Sequence, residues 1–382
     1  MNTIIIKNKE WIDSTWEKID NKLKKVAVRS RYKLPYTTDE NGVHDNKVDD
    51  KIWWWTNGFW GGMMWLMYLE TQDETYKETA KVSGNLVNRI FENYDYLDHD
   101  AGFLWHLTAG ADYRITGDKK AYSANMLAAA SLASRYNIDG DFIRAWNGKG
   151  NENLTIIDCL MNLALLYWAS EVTDDKRFKK IAMRHADMAL RDHIRPDGSI
   201  NHIVNHEADK VGVKNIVAGQ GYSETSCWSR GLAWAVYGSV ISYIHAGKEE
   251  YLEAAKKTAD YFIEHCKKND YLPVIDFMAP EIPVYYDSTA GVCAACGMLE
   301  IAKYVSEEEG KRYTEEAIHI LKACDQHFCN YEEDEDALVL MGSERYPSLE
   351  EYKRGVHIPI IYGDFFFVEA MLKLKRSEFF IW

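Results

Sequence analysis

The chain has 382 residues, of which 47% are hydrophobic and 27% are charged, a composition typical of a globular protein with a large core. Its net charge of −14 argues against binding to nucleic acids or anionic membranes, because both are themselves negatively charged. No apolar run approaches membrane-spanning length, and the N-terminal residues do not have the pattern of a signal peptide, so we expect a cytoplasmic protein.

The first informative stretch follows an N-terminal helix and lead-in segment predicted over residues 1–50. Residues 53–65, WWWTNGFWGGMMW, contain five tryptophans. The small and polar residues between them indicate a loop that runs into a helix. Tryptophan there serves either core packing or a flat wall for a sugar ring, and this stretch alone leaves both open.

From residue 59 onward one pattern recurs: an apolar helix, a polar turn and then usually an amphipathic helix. The apolar segments are residues 59–73, 103–118, 157–175, 228–247, 288–308 and 363–378, and their amphipathic partners include 76–91, 178–194, 251–266 and 313–328. Helices that are apolar on all sides are buried, and amphipathic helices cover them. The pattern predicts an all-α (α/α)6 barrel in one domain, residues 1–382. An extended solenoid is the alternative, but its repeats would be more uniform.

Polar residues precede each predicted inner helix. The inner helices of such a barrel run parallel, so their N-terminal ends surround one opening that suits an anionic ligand. For Asp287 and Asp364 we favour N-capping, the usual role of Asp at this position. Thr155 is placed to cap the third inner helix, which leaves Asp158 to face the opening. Asp100 lies beside His99 in the loop before the second inner helix.

Two carboxylates that face one aromatic pocket are the minimum for acid–base chemistry on a sugar. Burial and a neighbouring carboxylate raise the pKa of such a group, whereas the helix dipole at Asp158 acts in the opposite direction. We expect burial and Asp100 to outweigh the dipole, so that Asp158 donates a proton near neutral pH.

Seven cysteines, an odd number, suggest reduced thiols. Cys293 and Cys296 form a CxxC motif within a helical segment, without a second pair. This favours their use as small packing residues over metal or redox chemistry. We expect no metal and no cofactor.

Seven segments between residues 55 and 372 share the motifs of one family, in family order. They are WTNGFW (55–60), HDAGF (99–103), RAWN (144–147), IIDCLMNLALLYWAS (156–170), QGYSETSCWSRGLAWAVYG (220–238), YYDSTAGVCAACGMLEIA (285–302) and YGDFFFVEAML (362–372). Together they resemble the unsaturated glucuronyl hydrolases, glycoside hydrolase family 88. The unsaturated rhamnogalacturonyl hydrolases share the expected toroid but are a poorer match.

The resemblance implies an (α/α)6 toroid and a hydration reaction. The substrates in this family are lyase-generated oligosaccharides with a 4,5-unsaturated uronic acid at the non-reducing end. An aspartic acid protonates C4 of the vinyl ether, water adds at C5, and the hemiketal opens and expels the remaining sugar. By motif, Asp158 matches the proton donor that then assists the water. Asp100 matches a second essential aspartate that contacts sugar hydroxyls and tunes Asp158.

The resemblance also implies the substrate-binding residues. Trp55 and Trp146 are expected as aromatic walls, and the remaining matches are His99, Gln220, Trp228 and Trp234. Trp60 and Trp65 are expected to pack in the core.

Two matches leave alternatives open. Arg230 either meets the uronate carboxylate or forms a structural ion pair. His202 lies at the right distance after Asp158 to match a pocket histidine, and His206 is its rival.

The segment 342–364 departs from the family. Ser348, Lys353 and Arg354 are candidates for binding a sulfate or carboxylate on the next sugar, and a solvated loop is an equal alternative. The preferred glycan therefore stays open among chondroitin, hyaluronan, heparin-type and plant or bacterial glucuronans. An inverting glycosidase on the same fold is another possibility. A non-catalytic glycan-binding protein is disfavoured because both aspartates are present.

Overall fold

The computed structural model describes residues 3–347, 355–375 and 379–382. After a short helix, α1 (Thr3–Lys7), two sets of helices alternate along these residues. The outer helices are α2 (Lys9–Arg29), α4 (Glu74–Val87), α6 (Lys119–Ser134), α8 (Lys176–Asp192), α10 (Glu249–Lys267) and α12 (Glu307–Phe328). The inner helices are α3 (Asn57–Thr71), a π-helix (Gly102–Gly110) continued by α5 (Ala111–Thr116), α7 (Cys159–Thr173), α9 (Ser229–Ala246), α11 (Ser288–Ile301) and α13 (Ile361–Lys375).

The inner helices close into a ring. Each packs against the next, from α3 through the π-helix to α13, and α13 returns to contact α3. A solenoid would leave its first and last helices apart, so this closure confirms the predicted (α/α)6 barrel. All residues of α11 and the whole π-helix are buried, in agreement with their continuous apolar sequences. None of the described helices has the length and apolarity needed to cross a membrane.

Small residues set the close spacing of the inner helices. A Cβ added at Gly238 would lie 2.5 Å from Cβ of Leu160, and one at Gly297 would lie 3.0 Å from Cα of Tyr237. Cys293 and Cys296 of α11 are also buried, and the thiol of Cys296 donates to the Phe366 carbonyl of α13 over 3.2 Å. Burial raises the pKa of both thiols, which keeps them neutral. Both cysteines therefore pack between helices, as expected.

The predicted polar turns join each inner helix to the next outer one. Several inner helices end at a residue with left-handed backbone, namely Gln72, Gly117, Asp174 and Gly247. The next helix is then capped by an aspartate in three cases, Asp73, Asp118 and Asp175, whose side chains accept from main-chain N–H groups of the first turn. These turns lie at the end of the barrel away from the N-termini of the inner helices.

Within the described residues, seven short strands lie in the connections. They form a pair β1 (Tyr136–Asn137) and β2 (Phe142–Ile143), a three-stranded sheet β3 (Leu154–Ile156), β4 (Ile203–His206) and β5 (Val213–Val217), and a pair β6 (Gly342–Ser343) and β7 (Val356–Ile358). All pairings are antiparallel. Ile156 of β3 lies opposite Ile203 of β4, which brings the start of β4 beside the start of α7.

Residues 379–382 pack between the inner helices. Trp382 is 1% exposed, and its indole N–H donates to Glu369 over 3.1 Å. Its ring is parallel to that of Phe366, with an interplanar angle of 11°. The guanidinium of Arg114 donates to the Phe380 carbonyl over 2.8 Å. This segment thus contributes to the core that the inner ring encloses.

Candidate active site

Asp158 lies at the mouth of the barrel, immediately before α7. It occupies the N-cap position, yet its side chain caps nothing, and the residue is 8% exposed. Its Oδ1 is buried and accepts no hydrogen bond from the described residues. Buried carboxylate oxygens normally have partners, so an unpaired one at an opening is suited to a ligand.

The expected cap by Thr155 is wrong. Thr155 lies in β3, and its hydroxyl is 2.8 Å from Nε2 of His193 and 2.8 Å from Nε2 of His206. Strand formation turns this side chain towards the histidines, away from the helix. Asp158 nevertheless faces the mouth, because its own side chain does not fold back onto the helix.

Asp100 lies in the loop that leads into the π-helix and is 7% exposed. Burial, followed by the charges of Asp98 and Asp158, raises the pKa of Asp100 well above its ordinary value. His99 Nδ1 lies 2.9 Å from the Ala145 carbonyl, which only accepts, so Nδ1 carries the hydrogen. The other nitrogen, Nε2, is 3.3 Å from Asp100 Oδ1, and burial lowers the pKa of His99. A protonated Asp100 therefore faces an imidazole nitrogen that can accept its proton.

Asn162 joins the two aspartates. It is fully buried in α7, and its Oδ1 accepts from the Phe103 main-chain N–H over 2.7 Å. Its Nδ2 lies 3.4 Å from Asp100 Oδ1 and 3.4 Å from the Asp158 carbonyl. A Cβ at Gly102 would lie only 2.6 Å from the Asn162 Cα, so this contact between the π-helix and α7 requires glycine.

The structure places His202 beside Asp158. Nε2 of His202 is 3.7 Å from Asp158 Oδ1, while its Nδ1 accepts from the Gln220 main-chain N–H over 3.0 Å. Since Nδ1 accepts, a neutral His202 carries its hydrogen on Nε2, towards the carboxylate. The rival His206 lies further along β4, stacked on Phe142 with ring centroids 4.5 Å apart.

The six tryptophans singled out in the sequence as walls, family matches or core residues divide into two groups by exposure. Trp55 and Trp146 are half-buried, as a sugar wall requires. Trp55 stacks on Tyr362 at 5.1 Å, and Trp146 meets His99 edge-on at 5.6 Å. The fully buried group comprises Trp60, Trp65, Trp228 and Trp234.

Burial confirms the core positions expected for Trp60 and Trp65. For Trp228 and Trp234 it favours support of the site over stacking on a sugar. Trp234 packs edge-on against Trp55 at 6.5 Å, and Trp228 packs against His202 at 4.2 Å.

Arg230 forms the structural ion pair that the sequence left as one of two alternatives. It is 1% exposed, and its Nη1 is 3.1 Å from Asp287 Oδ2. Nη1 also donates to the Ser343 carbonyl, and Nη2 donates to the Glu344 carbonyl over 2.8 Å. The rings of Trp228 and Tyr362 flank the guanidinium. Arg230 thus holds the segment that includes β6 against the mouth.

The two capping predictions differ in outcome. Asp287 caps α11, since its side chain accepts from the Thr289 N–H over 3.2 Å. Asp364 does not cap α13, because it lies inside the helix. It accepts instead from the main-chain N–H groups of Leu338 and Val339, at 2.9 and 2.7 Å. Burial raises the pKa of Asp364 to about 7.

Gln220 connects two loops at the mouth. Its Nε2 donates to the Glu344 carbonyl over 2.7 Å, and its carbonyl accepts from the Tyr346 N–H over 2.7 Å. Because its side-chain amide and its main-chain carbonyl are both hydrogen-bonded, Gln220 fixes the wall beside His202. The candidates for the next sugar, Ser348, Lys353 and Arg354, lie outside the described residues.

Among the described residues, Asp98, His99 and Asp100 form the one cluster whose ligand atoms lie within 4.8 Å of one another. Asp98 Oδ1 accepts from the Asp100 N–H over 2.9 Å, and His99 Nδ1 is bound to the Ala145 carbonyl. Through these contacts, the cluster holds the Asp100 carboxyl in position.

Known proteins with a similar sequence and fold are enzymes. The sequence model of Glycosyl Hydrolase Family 88 matches residues 27–244. The unsaturated glucuronyl hydrolase of Bacillus sp. (strain GL1) is 34% identical over 341 residues, which is 86% of this chain and 88% of that protein. The unsaturated chondroitin disaccharide hydrolase of Streptococcus pneumoniae is 32% identical over 336 residues, or 86% and 83% of the two chains.

The structural comparison agrees. The crystal structure of the unsaturated glucuronyl hydrolase of Bacillus sp. GL1, described as responsible for glycosaminoglycan degradation, has a TM-score of 0.88 at 29% identity, over 95% of this chain and 97% of that one. The fold and the paired carboxylates therefore define a glycoside hydrolase built on an (α/α)6 barrel. This chain belongs to glycoside hydrolase family 88.

Proposed function

We propose that this enzyme removes the 4,5-unsaturated uronic acid from the non-reducing end of lyase-generated, glycosaminoglycan-type oligosaccharides. The observation that carries the proposal is that Asn162 contacts both the Asp100 carboxyl and the main-chain carbonyl of Asp158 at an aromatic mouth. The names of the relatives, an unsaturated glucuronyl hydrolase and an unsaturated chondroitin disaccharide hydrolase, support the substrate class.

The reaction begins with proton transfer to carbon. The Asp158 carboxyl donates its proton to C4 of the vinyl ether, and the double-bond electrons form the new C4–H bond. Water then adds to C5 while the Asp158 carboxylate takes one of its protons. The unpaired Oδ1 of Asp158 is available both to give the proton to C4 and to take a proton from water. The Nε2–H of His202 points towards this oxygen and stabilises the carboxylate.

Ring opening completes the release. The C5 hemiketal breaks its bond to the ring oxygen and becomes a ketone. The hemiacetal left at C1 then expels the remaining sugar. In this scheme Asp100, with its raised pKa, stays protonated and binds sugar hydroxyls. Trp55 and Trp146 form the walls that hold the ring. Contacts of His99 and Gln220 with the sugar, and of Lys353 with the next sugar, stay predictions.

The decisive test measures the loss of the double bond and the positions at which labelled hydrogen and oxygen from water enter the product. A lyase-generated unsaturated disaccharide should lose its ultraviolet absorbance when the enzyme is added. In heavy water, deuterium should enter C4 of the released uronate, and oxygen from labelled water should enter C5. Oxygen label at the anomeric carbon of the released uronate, or cleavage of a saturated glucuronide, would instead support a conventional inverting glycosidase.

A further inference from the structure

A cavity of about 580 Å³ lies beside the candidate active site, at the same end of the barrel. It is formed between the C-terminal end of α10, at His265, Lys268 and Asn269, and residues 274–285 before α11. The outer helices end where the inner helices begin, so both walls belong to the face that carries Asp158. The volume is within the usual range of small-molecule sites.

Tyr346 forms a wall of this cavity and also contacts the loop of the active site. Its main-chain N–H donates to the Gln220 carbonyl over 2.7 Å, and the Gln220 N–H donates to His202 Nδ1 over 3.0 Å. His202 is in turn 3.7 Å from Asp158. A short series of direct contacts therefore connects the cavity to the reacting carboxylate.

The lining has the mixture of side chains that sugars require. The rings of Tyr285 and Tyr346 meet edge-on at 5.5 Å. Ile282 is 85% exposed and Met278 is 40% exposed, which leaves apolar surface for the faces of sugar rings. The side chain of Lys268 is 59% exposed, and its ammonium lies 3.7 Å from the exposed Glu264, so the ammonium is solvated and within reach of an anion.

We propose that this cavity binds the part of the oligosaccharide that lies beyond the next sugar, on the reducing-end side, and that Lys268 contacts a carboxylate or sulfate of that part. The inference rests on the proposed function, because it concerns the same substrate. A disaccharide is too short to reach the cavity, whereas a tetrasaccharide of alternating uronate and hexosamine carries a second uronate there.

The test compares unsulfated unsaturated disaccharide and tetrasaccharide from one polysaccharide. The tetrasaccharide should have a kcat/KM about tenfold higher, the scale of one charge-assisted contact. Lys268→Ala, which removes the cation, and Ala279→Trp, which fills the cavity, should abolish this preference. Both variants should keep the wild-type kcat/KM for the disaccharide. Lys120→Ala is the matched control, since Lys120 lines a separate cavity on α6.

Equal kcat/KM for the two lengths in the wild type, or equal losses for both substrates in the variants, would overturn the proposal. Failure of the proposed function would be distinguishable, because neither substrate would then lose its double bond. In that case, calorimetry with the saturated hexosamine–uronate–hexosamine trisaccharide still tests the cavity. Weaker binding to Lys268→Ala and Ala279→Trp than to Lys120→Ala supports the site, and equal binding by all three overturns it.

Discussion

Asp158 presents a buried carboxylate oxygen that no described residue satisfies, with the imidazole of His202 3.7 Å away. If Asp158 is the proton donor, Asp158→Asn should lower kcat by about 10²- to 10⁴-fold, the usual contribution of general acid–base catalysis. The amide has nearly the same shape but cannot give up a proton to carbon. Turnover of an unsaturated disaccharide, followed by loss of absorbance, measures the effect.

The fold and the binding of sugar should persist in Asp158→Asn, as circular dichroism and substrate-induced tryptophan fluorescence would show. Near-normal turnover in this variant would show that Asp158 is not the proton donor.

Asn162 is expected to act as a positioning residue. In the wild type, the Asn162 amide N–H lies 3.4 Å from Asp100 and lowers the pKa of that carboxyl. Asn162→Ala removes this N–H. The pKa of Asp100 should therefore rise further, and the limb of the pH–rate profile that follows Asp100 should move to higher pH. We expect kcat to fall by about tenfold or more, with a smaller change in KM.

The matched control is Asn125→Ala. Asn125 is equally buried, but it lies in α6 and its side-chain atoms contact neither carboxylate. The same shift of the pH profile in both variants would show that Asn162 acts only through stability.

Sequence alone could identify some candidates for the site and not others. Asp158, Asp100 and His202 each stand in or near a motif, and the structure brings them together. The link through Asn162 could not be predicted, because it depends on how closely the π-helix approaches α7. The only sequence indication was a polar residue one helical turn after Asp158. Likewise, the partner of Arg230 is Asp287, 57 positions away, so the ion pair could not be distinguished from substrate binding.

At the level of elements, the contact between the π-helix and α7 sets the position of Asp100 relative to Asp158. Gly102→Ala would place a Cβ 2.6 Å from the Asn162 Cα. We expect it to lower the free energy of unfolding by about 2–4 kcal/mol, the scale of strained or overpacked core substitutions. It should also reduce kcat in the fraction that folds. Urea denaturation and kinetics measure the two effects.

Gly84→Ala is the matched control. Among the described residues, a Cβ there has only Thr108 Cβ, 3.8 Å away, as a neighbour, and Gly84 lies inside α4. Helix propensity should make this substitution neutral or stabilising by up to about 1 kcal/mol. If both substitutions lower the free energy of unfolding equally, the close approach at Gly102 does not fix the interface between the π-helix and α7.

The inner helices were predictable because they are apolar on every side, a pattern that only a buried helix tolerates. Two outer helices, α2 and α6, were missing from the predicted partners. In α6 the buried positions are mostly alanines, so the contrast between its two faces is weak. The π-helical form of residues 102–110 has no marker in the local sequence, because its backbone is set by packing around Gly102 and Asn162.

For the whole molecule, the packing of Trp382 against the inner ring is expected to contribute strongly to stability. Trp382→Ala would remove a buried indole and the hydrogen bond to Glu369. We expect a loss of about 3–5 kcal/mol in the free energy of unfolding, as for other large-to-small core substitutions. Trp53→Ala, at a residue that is 41% exposed, should cost far less. Comparable denaturation midpoints for the two variants would contradict this role.

The ring closes only where α13 meets α3, segments about 300 residues apart in the chain. During synthesis, the first hairpins therefore emerge with apolar inner faces that have no complete partner until α13 has been made. Contacts so distant in sequence slow folding, and apolar surface exposed meanwhile promotes aggregation. Yield on expression should accordingly depend on translation rate, temperature and chaperone supply, and truncation before α13 should leave an insoluble chain.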